Sequence, residues 1–398
     1  MNSRQLLEIF NRYRGDAPVM VSSGRTGSIL AQVGHRDPVM YNTGMSYTSP
    51  ACLGLALTRP DLRVVAIEGD GAMLMGLAGL VTIGRYQPTN LVVIVMNNRA
   101  YRSSNRGELA TATAFRADIA AVARAAGIER ASMVDSVEAF ETCLRTAMTE
   151  PGPHVIVANV DGSLVLDPAA PAQEQGRLEL SLAFRRRVQE LGAAVGGRPA
   201  AAVRGPTTDG RQQSRLAETP PLELGAGAEA ARLMYRALRE AGIDFVVYLP
   251  DSVLYPLQAL AEHDPTLTAV CCTREDEGIA IASGAAYGGR WPAIIMEGTA
   301  TGLSGLALAG LIVRRTPLLI VASHTAVLGI RAPHDDIACM TNEPILRALN
   351  IPVAVMHHLA DAALVIRESQ QAARVLMSPV AVAVAPYVMN ETAGRAPR

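Results

Sequence analysis

Lysine is absent: among the 398 residues there are 36 basic side chains, and every one is arginine. That absence excludes chemistry. A Schiff-base nucleophile, a pyridoxal-phosphate anchor and the lysine of a P-loop all need an amine that this chain does not carry. Aromatic residues are scarce, at 4%, which argues against an aromatic-rich β sandwich. The abundance of Ala, Gly and Val suits helices packed on parallel strands. Cysteine is sparse and odd in number. Cys52, Cys143, Cys271, Cys272 and Cys339 show no C-x-x-C spacing, so neither a disulfide framework nor a zinc site is expected, and a reducing cytoplasm fits. A net charge of −1 gives no drive toward nucleic acid or an anionic membrane, and no basic run is interleaved with aromatics. No apolar run approaches the roughly 20 residues of a membrane span, and the opening MNSRQLLEIFNRYRGD lacks a signal-peptide core. The expectation is a cytoplasmic protein that partners neither nucleic acid nor membrane.

What the chain has instead is alternation. The β-rich runs VMVSS, VVAIEGDG, LVVIVMNN and HVIVANV are separated by helical stretches between Val19 and Val160. The rhythm resumes with FVVYLP, PAIIMEG, PLLIVAS and VAVAVAP, interleaved with helical segments 226–241, 275–288 and 359–373. Such alternation predicts an α/β fold of two domains, each a parallel sheet flanked by helices. The length also favours two cores over one. A helix is expected over 177–192, with Arg185, Arg186 and Arg187 on a solvated face. Residues 193–222 are rich in Ala, Gly, Pro and polar side chains and read as a flexible linker. The boundaries are therefore 1–192, 193–222 and 223–398.

The chemistry starts where VVAIE runs into Gly69-Asp70-Gly71 and a second strand, LVVIVM, ends at Asn97-Asn98. The intervening MLMGLAGLVTIGRY is long enough for one crossover helix, so both strand ends reach the same carboxyl edge, where open α/β sheets bind ligands. A carboxylate and an amide oxygen form a hard partial shell suited to Mg²⁺, which completes its octahedron with phosphate oxygens and water. Gly69, Gly71 and Ala72 allow close approach of a diphosphate to the N-terminal amides of the next helix. The plainer alternative is a Gly-Asp-Gly turn beside a strand-end Asn cap.

This pattern resembles the cofactor motif of thiamine-diphosphate enzymes, which opens with G-D-G and closes with N-N. The resemblance implies Mg²⁺ on Asp70, Asn98 and the Ala100 carbonyl, where relatives more often have Gly, with Tyr101 beside them. It implies that Met45, in Asn42-Thr43-Gly44-Met45, wedges the cofactor into its bent shape and that the Thr43 carbonyl accepts from its amino group. Met45 also fits an ordinary core position. Arg274-Glu275-Asp276-Glu277-Gly278-Ile279-Ala280 resembles the pyrimidine-binding domain of 2-oxo acid decarboxylases. There the activating Glu opens an E-x-x-A pattern about ten residues before a pair such as Ala286-Tyr287, and Glu277 fits both criteria. All three acids also suit a helix N-terminus. Pro250-Asp251-Ser252-Val253-Leu254 is similar to a P-D-S-L-L segment of phosphonopyruvate decarboxylases, making Asp251 a proton donor or the N-cap of the next helix.

The diphosphate-binding domain precedes the pyrimidine-binding domain, so the chain resembles the beta and alpha subunits of sulfopyruvate decarboxylase fused in that order, over about 1–190 and 224–385. This implies non-oxidative decarboxylation of a small 2-oxo acid, 3-sulfopyruvate or 3-phosphonopyruvate, in a homodimer or a multiple of one with active sites between subunits. Carboligation to an acceptor, or a non-catalytic cofactor-binding subunit, are the other readings. Two segments depart from the family. Glu297-Gly298-Thr299-Ala300-Thr301-Gly302-Leu303-Ser304 replaces Q-N-S-G-L-G-N, and His324-Thr325-Ala326 replaces a residue followed by Arg-Gly. Arg25, Arg102, Arg331, His324 and His334 are candidates for a C3 anion, which favours Arg and His donors; His324 is also a catalytic candidate.

Overall fold

The computed structural model describes residues 1–103, 107–162, 176–193, 224–225, 227–325 and 335–391. The chain divides into two compact units. One comprises Met1–Ala200 with Tyr287–Gly289, the other Ala201–Ala286 with Arg290–Arg398. Nearly all of 193–222 lies outside the described residues. Among those described, no helix is long and apolar enough to cross a membrane.

In the first unit α1 (Ser3–Tyr13), β1 (Val19–Ser22), α2 (Arg25–Gly34), β2 (Val39–Thr43), α3 (Thr48–Thr58) and β3 (Val64–Gly69) come first. They are followed by α4 (Asp70–Met75), α5 (Ala78–Tyr86), β4 (Leu91–Asn97) and a small antiparallel ribbon, β5 (Ala100–Ser103) and β6 (Gly107–Ala110). The unit ends with α6 (Ile119–Ala125), β7 (Arg130–Val134), α7 (Val137–Thr149), β8 (His154–Asn159) and α8 (Arg177–Ala193). The main sheet is parallel in the order β2-β1-β3-β4-β8-β7. β4 is buried along its whole length, as expected of a strand covered on both faces. Leu6, Phe10, Phe140 and Leu144 pack with Val65, Ile67, Val92 and Ile94 on one side. α3 is buried all round, and such a helix has no polar face to turn to water.

The single crossover helix expected between β3 and β4 is two helices. The break falls where Gly76 passes Ser46, whose carbonyl oxygen would lie 2.7 Å from any added Cβ. α4 thus ends after six residues and α5 starts on a new course.

The second unit runs α9 (Ala228–Glu240), β9 (Phe245–Tyr248), α10 (Tyr255–His263), β10 (Thr268–Cys271), α11 (Glu275–Tyr287), β11 (Pro292–Met296) and α12 (Ala300–Val313). It continues with β12 (Leu318–Ser323), α13 (Asp335–Thr341), α14 (Glu343–Ala348), β13 (Val353–Met356), α15 (Ala362–Leu376) and β14 (Pro379–Val384). Its sheet is also all parallel, in the order β10-β9-β11-β12-β14-β13. Counted within each unit, the two sheets have the same strand order, despite no repeat in the sequence. Each reverses direction between its first and third strands, and that switch point opens a crevice at the carboxyl ends.

Candidate functional site

At the switch point of the first sheet lies a cavity of about 380 Å³, within the range of small-ligand sites. Five strand ends feed it. Ser22, Ser23, Gly24, Arg25 and Thr26 follow β1, Met45 follows β2, and Gly69, Asp70, Gly71 and Ala72 follow β3. Asn98, Ala100 and Tyr101 follow β4, and Val160, Asp161 and Gly162 follow β8. Of the first-unit candidates for cofactor, metal or substrate whose side chains are described, all but Thr43 line this cavity. The Arg102 side chain lies outside the described residues.

Asp70 is 1% exposed. Its Oδ2 accepts from the Thr111 hydroxyl at 2.6 Å, and the Thr113 hydroxyl lies 3.0 Å from the same oxygen. The two hydroxyls are 2.7 Å apart, and Thr113 also reaches Asn97 Oδ1 at 2.8 Å. Neither threonine was identified from the sequence. They come from the segment after β6, and only the fold brings that segment back to β3. Asn97 and Asn98 divide their tasks. The Asn97 amide donates to Asn159 Oδ1 at 2.7 Å, tying β4 to β8, whereas Asn98 faces the cavity. Arg99 adopts a left-handed φ of 62°, and this turn starts the ribbon at Ala100. Asp70, Asn98 and the Ala100 carbonyl supply one charged and two neutral oxygens, a set that fits Mg²⁺ completed by a diphosphate and water. The Tyr101 ring covers the start of α4 so closely that a Cβ on Gly71 would lie 2.4 Å from it.

The Thr43 carbonyl is the acceptor that the resemblance implies for the cofactor's amino group. It already accepts from the Ser23 amide at 2.8 Å and the Ser23 hydroxyl at 3.0 Å. The Thr43 hydroxyl donates to the Val21 carbonyl at 2.8 Å and lies 2.6 Å from that of Thr48. Thr43 therefore braces the loop that carries Met45, with Asn42 and Ser46 at left-handed φ on either side. A second residue unremarked in the sequence supports the same loop: Glu68, fully buried in β3, accepts from the Ser49 amide at 2.8 Å near the start of α3. Burial pushes its carboxyl above the usual range, and its Oε2 has no hydrogen-bond partner.

The carboxyl edge of the second sheet collects Asp251 after β9, Glu275, Asp276 and Glu277 after β10, Glu297 after β11 and His324 after β12. Of these three neighbouring acids the resemblance singles out Glu277, and their surroundings differ. Asp276 pairs with the Arg274 guanidinium at 3.0 and 3.1 Å. Glu275 is only half-buried; desolvation, then Glu297 and Asp276, push its pKa up. Glu277 is 4% exposed, and its Oε2 accepts from the Thr273 amide at 3.1 Å and the Thr273 hydroxyl at 2.5 Å. Its Oε1 is buried and has no partner among the described residues. A buried carboxyl oxygen without a partner is costly, and it suits a ligand nitrogen that shares a proton.

Asp251 is also buried. Its Oδ1 accepts from the Val253 amide at 2.7 Å, and among the described residues its Oδ2 makes no hydrogen bond. Desolvation pushes its pKa up against that amide, with Glu297 adding to the rise. It closes a turn and is not the N-cap of α10, a position held by Leu254. His324 is buried, its pKa lowered by desolvation against the opposing pull of Glu343. Arg331 and His334 lie outside the described residues.

Residues 26–158 match the thiamine pyrophosphate enzyme C-terminal TPP binding domain. The chain is 34% identical over 146 residues to the sulfopyruvate decarboxylase beta subunit of Methanocaldococcus jannaschii, covering 36% of this chain and 76% of that one. It is 31% identical over 135 residues to the alpha subunit of Methanothermobacter thermautotrophicus, covering 34% and 82%. The phosphonopyruvate decarboxylase of Streptomyces viridochromogenes is 33% identical over 142 residues, 35% of each chain, so the match spans about a third of that relative. Among solved structures, benzoylformate decarboxylase from Polynucleobacter necessarius aligns with a TM-score of 0.58 at 11% identity, covering 97% of this chain and 98% of that one. At that identity the likeness concerns the fold.

Proposed function

The chain belongs to the thiamine-diphosphate enzyme family of the sulfopyruvate and phosphonopyruvate decarboxylases, and from that premise we propose that it decarboxylates a small 2-oxo acid bearing an acidic group at C3. 3-Sulfopyruvate or 3-phosphonopyruvate would give CO₂ and the matching aldehyde. The observation that carries the reading is the unpartnered buried Oε1 of Glu277, on a chain that also holds the Asp70, Asn98 and Ala100 oxygens in one cavity.

Thiamine diphosphate, when bound, supplies a sink for the electron pair left by departing CO₂. In this proposal Asp70, Asn98 and Ala100 hold Mg²⁺ against its diphosphate, and the amides at the start of α4 add donors. Met45 supports its rings, and Glu277 holds a proton opposite its pyrimidine nitrogen. Asp251, whose burial favours the protonated form, donates to the product carbon side. Arg25 binds the C3 anion. The functional form is a homodimer or a multiple of one, the first unit of one copy and the second unit of another supplying the two halves. None of the five cysteines is in a disulfide, which suits a reducing compartment, and we place the enzyme in the cytoplasm.

The test is CO₂ release from pyruvate, sulfopyruvate and phosphonopyruvate, measured side by side with added Mg²⁺ and thiamine diphosphate. A charge-assisted contact to the C3 group is worth about 1.5–3 kcal/mol, so kcat/KM should favour one acidic substrate over pyruvate by about ten- to a hundredfold. A preference for pyruvate would remove the anionic C3 pocket from the proposal.

Thr111 gives a second expectation. Outer-shell partners of metal ligands typically alter metal affinity by about 10–100-fold. Thr111→Val removes the donor at 2.6 Å from Asp70 Oδ2 and should weaken Mg²⁺-dependent cofactor binding to that extent. Equilibrium dialysis of the cofactor against increasing Mg²⁺ reads this directly, and an unchanged midpoint would assign Thr111 to folding alone.

A further inference from the structure

Around His324 the hydrogen bonds determine more than position. Asn342 precedes α14 and is fully buried. Its Nδ2 lies 3.1 Å from the Ser323 carbonyl oxygen and 3.3 Å from His324 Nδ1, and its Oδ1 lies 3.3 Å from the Thr301 hydroxyl. A carbonyl can only accept, so the atom facing Ser323 is the NH₂ of the amide. The Ser323 carbonyl thus fixes the orientation, and the Thr301 hydroxyl, which can donate or accept, donates to the amide oxygen. The second N–H of that NH₂ points to His324, and since an amide nitrogen only donates, His324 Nδ1 must present its lone pair.

We propose that Asn342 is a positioning residue that holds His324 as the neutral imidazole carrying its proton on Nε2, so that the ring offers the site a hydrogen-bond donor and not a base. The other ring face agrees. Nε2 lies 3.9 Å from Glu343 Oε2, an acceptor that favours an N–H on that side. The charged or titratable groups acting on the ring are Glu343, which raises its pKa, and His357, which lowers it; burial outweighs both. The arrangement also accounts for Gly298: a Cβ there would lie 2.6 Å from Asn342 Nδ2 and 2.2 Å from the Ser323 carbonyl oxygen. A small residue at 298 and an amide at 342 are thus one device. Its meaning for substrate, a donor to an oxygen of the oxo acid, rests on the function proposed above, whereas the tautomer does not.

The full chain, labelled with ¹⁵N-histidine and free of substrate, gives the tautomer from long-range proton–nitrogen correlations, with His324→Gln identifying the resonance. The expected pattern is a protonated Nε2 and an unprotonated Nδ1. A proton on Nδ1 in the unsubstituted chain overturns the proposal, whatever any variant does. Asn342→Asp replaces the donor with an anionic acceptor. It should move the proton to Nδ1 and raise the His324 pKa by about one to three units; an unaltered tautomer and pKa in a folded Asn342→Asp chain would also overturn it. Because the reading needs no turnover, an inactive result across the oxo acids would defeat the proposed reaction and leave the tautomer assignment standing.

Discussion

Glu277→Gln should lower the rate of CO₂ release by about 10²–10⁴-fold, the usual share of a positioned acid or base, while thiamine diphosphate still binds. The two effects separate because the two oxygens of Glu277 have separate work. Oε2 is held by the Thr273 amide and hydroxyl, and a glutamine oxygen can accept the same two bonds, so the isosteric side chain keeps its place. Among the described residues Oε1 has no partner, and this is the oxygen that must exchange a proton with the ligand. Glutamine puts an NH₂ there, which cannot take up that proton. The diphosphate anchor around Asp70 is untouched by the change. Cofactor affinity measured by equilibrium dialysis should therefore stay within a few-fold of the parent while steady-state turnover collapses. Parent-like turnover in Glu277→Gln would defeat the assignment of this residue as the activating acid, and with it the decarboxylase reading. Loss of both binding and turnover would instead make Glu277 part of the fold.

The eight strands legible as apolar runs in the sequence are the four central strands of each sheet. The four strands of those two sheets that were not, β2, β7, β10 and β13, are all edge strands, and the β5-β6 ribbon was not legible either. Physical burial explains the difference. β4 is covered on both faces and reads as seven apolar or strand-end residues, but β7 exposes three of its five residues and β13 is mostly half-buried. A short, half-covered strand leaves little periodic signal. The site divides in a similar way. Asp70, Asn98 and Met45 were legible because strand ends and their following residues are placed by chain direction alone, and the cavity lies where that direction puts it. Thr111 and Thr113 were not, since their contact to Asp70 spans more than 40 residues of chain. Among Glu275, Asp276 and Glu277 the resemblance already favoured Glu277 by its spacing, whereas the burial and partners that distinguish neighbours on one turn of helix were not legible.

The complementary experiment removes charge from the other half of the chemistry. Asp70→Ala should abolish the Mg²⁺ dependence of cofactor binding and weaken the cofactor by about two orders of magnitude, because losing one member of a desolvated charged contact costs about 2–5 kcal/mol. Asp70 supplies the only carboxylate in the proposed ligand set; Asn98 and the Ala100 carbonyl bring neutral oxygens. A cation that must give up water to bind needs that charge, and two neutral oxygens do not replace it. The substitution also leaves the Thr111 and Thr113 hydroxyls without the oxygen they face, so Asp70→Asn is the informative companion. Asparagine retains an oxygen to accept from Thr111 and keeps the volume, but lacks the charge. If electrostatics dominate, both variants should lose Mg²⁺-dependent binding, with thermal unfolding close to the parent in Asp70→Asn. If Asp70 serves only to organise the threonines, Asp70→Asn should bind like the parent while Asp70→Ala alone fails. That second pattern would remove Asp70 from the metal site and leave the cavity to be explained by some ligand other than a magnesium diphosphate.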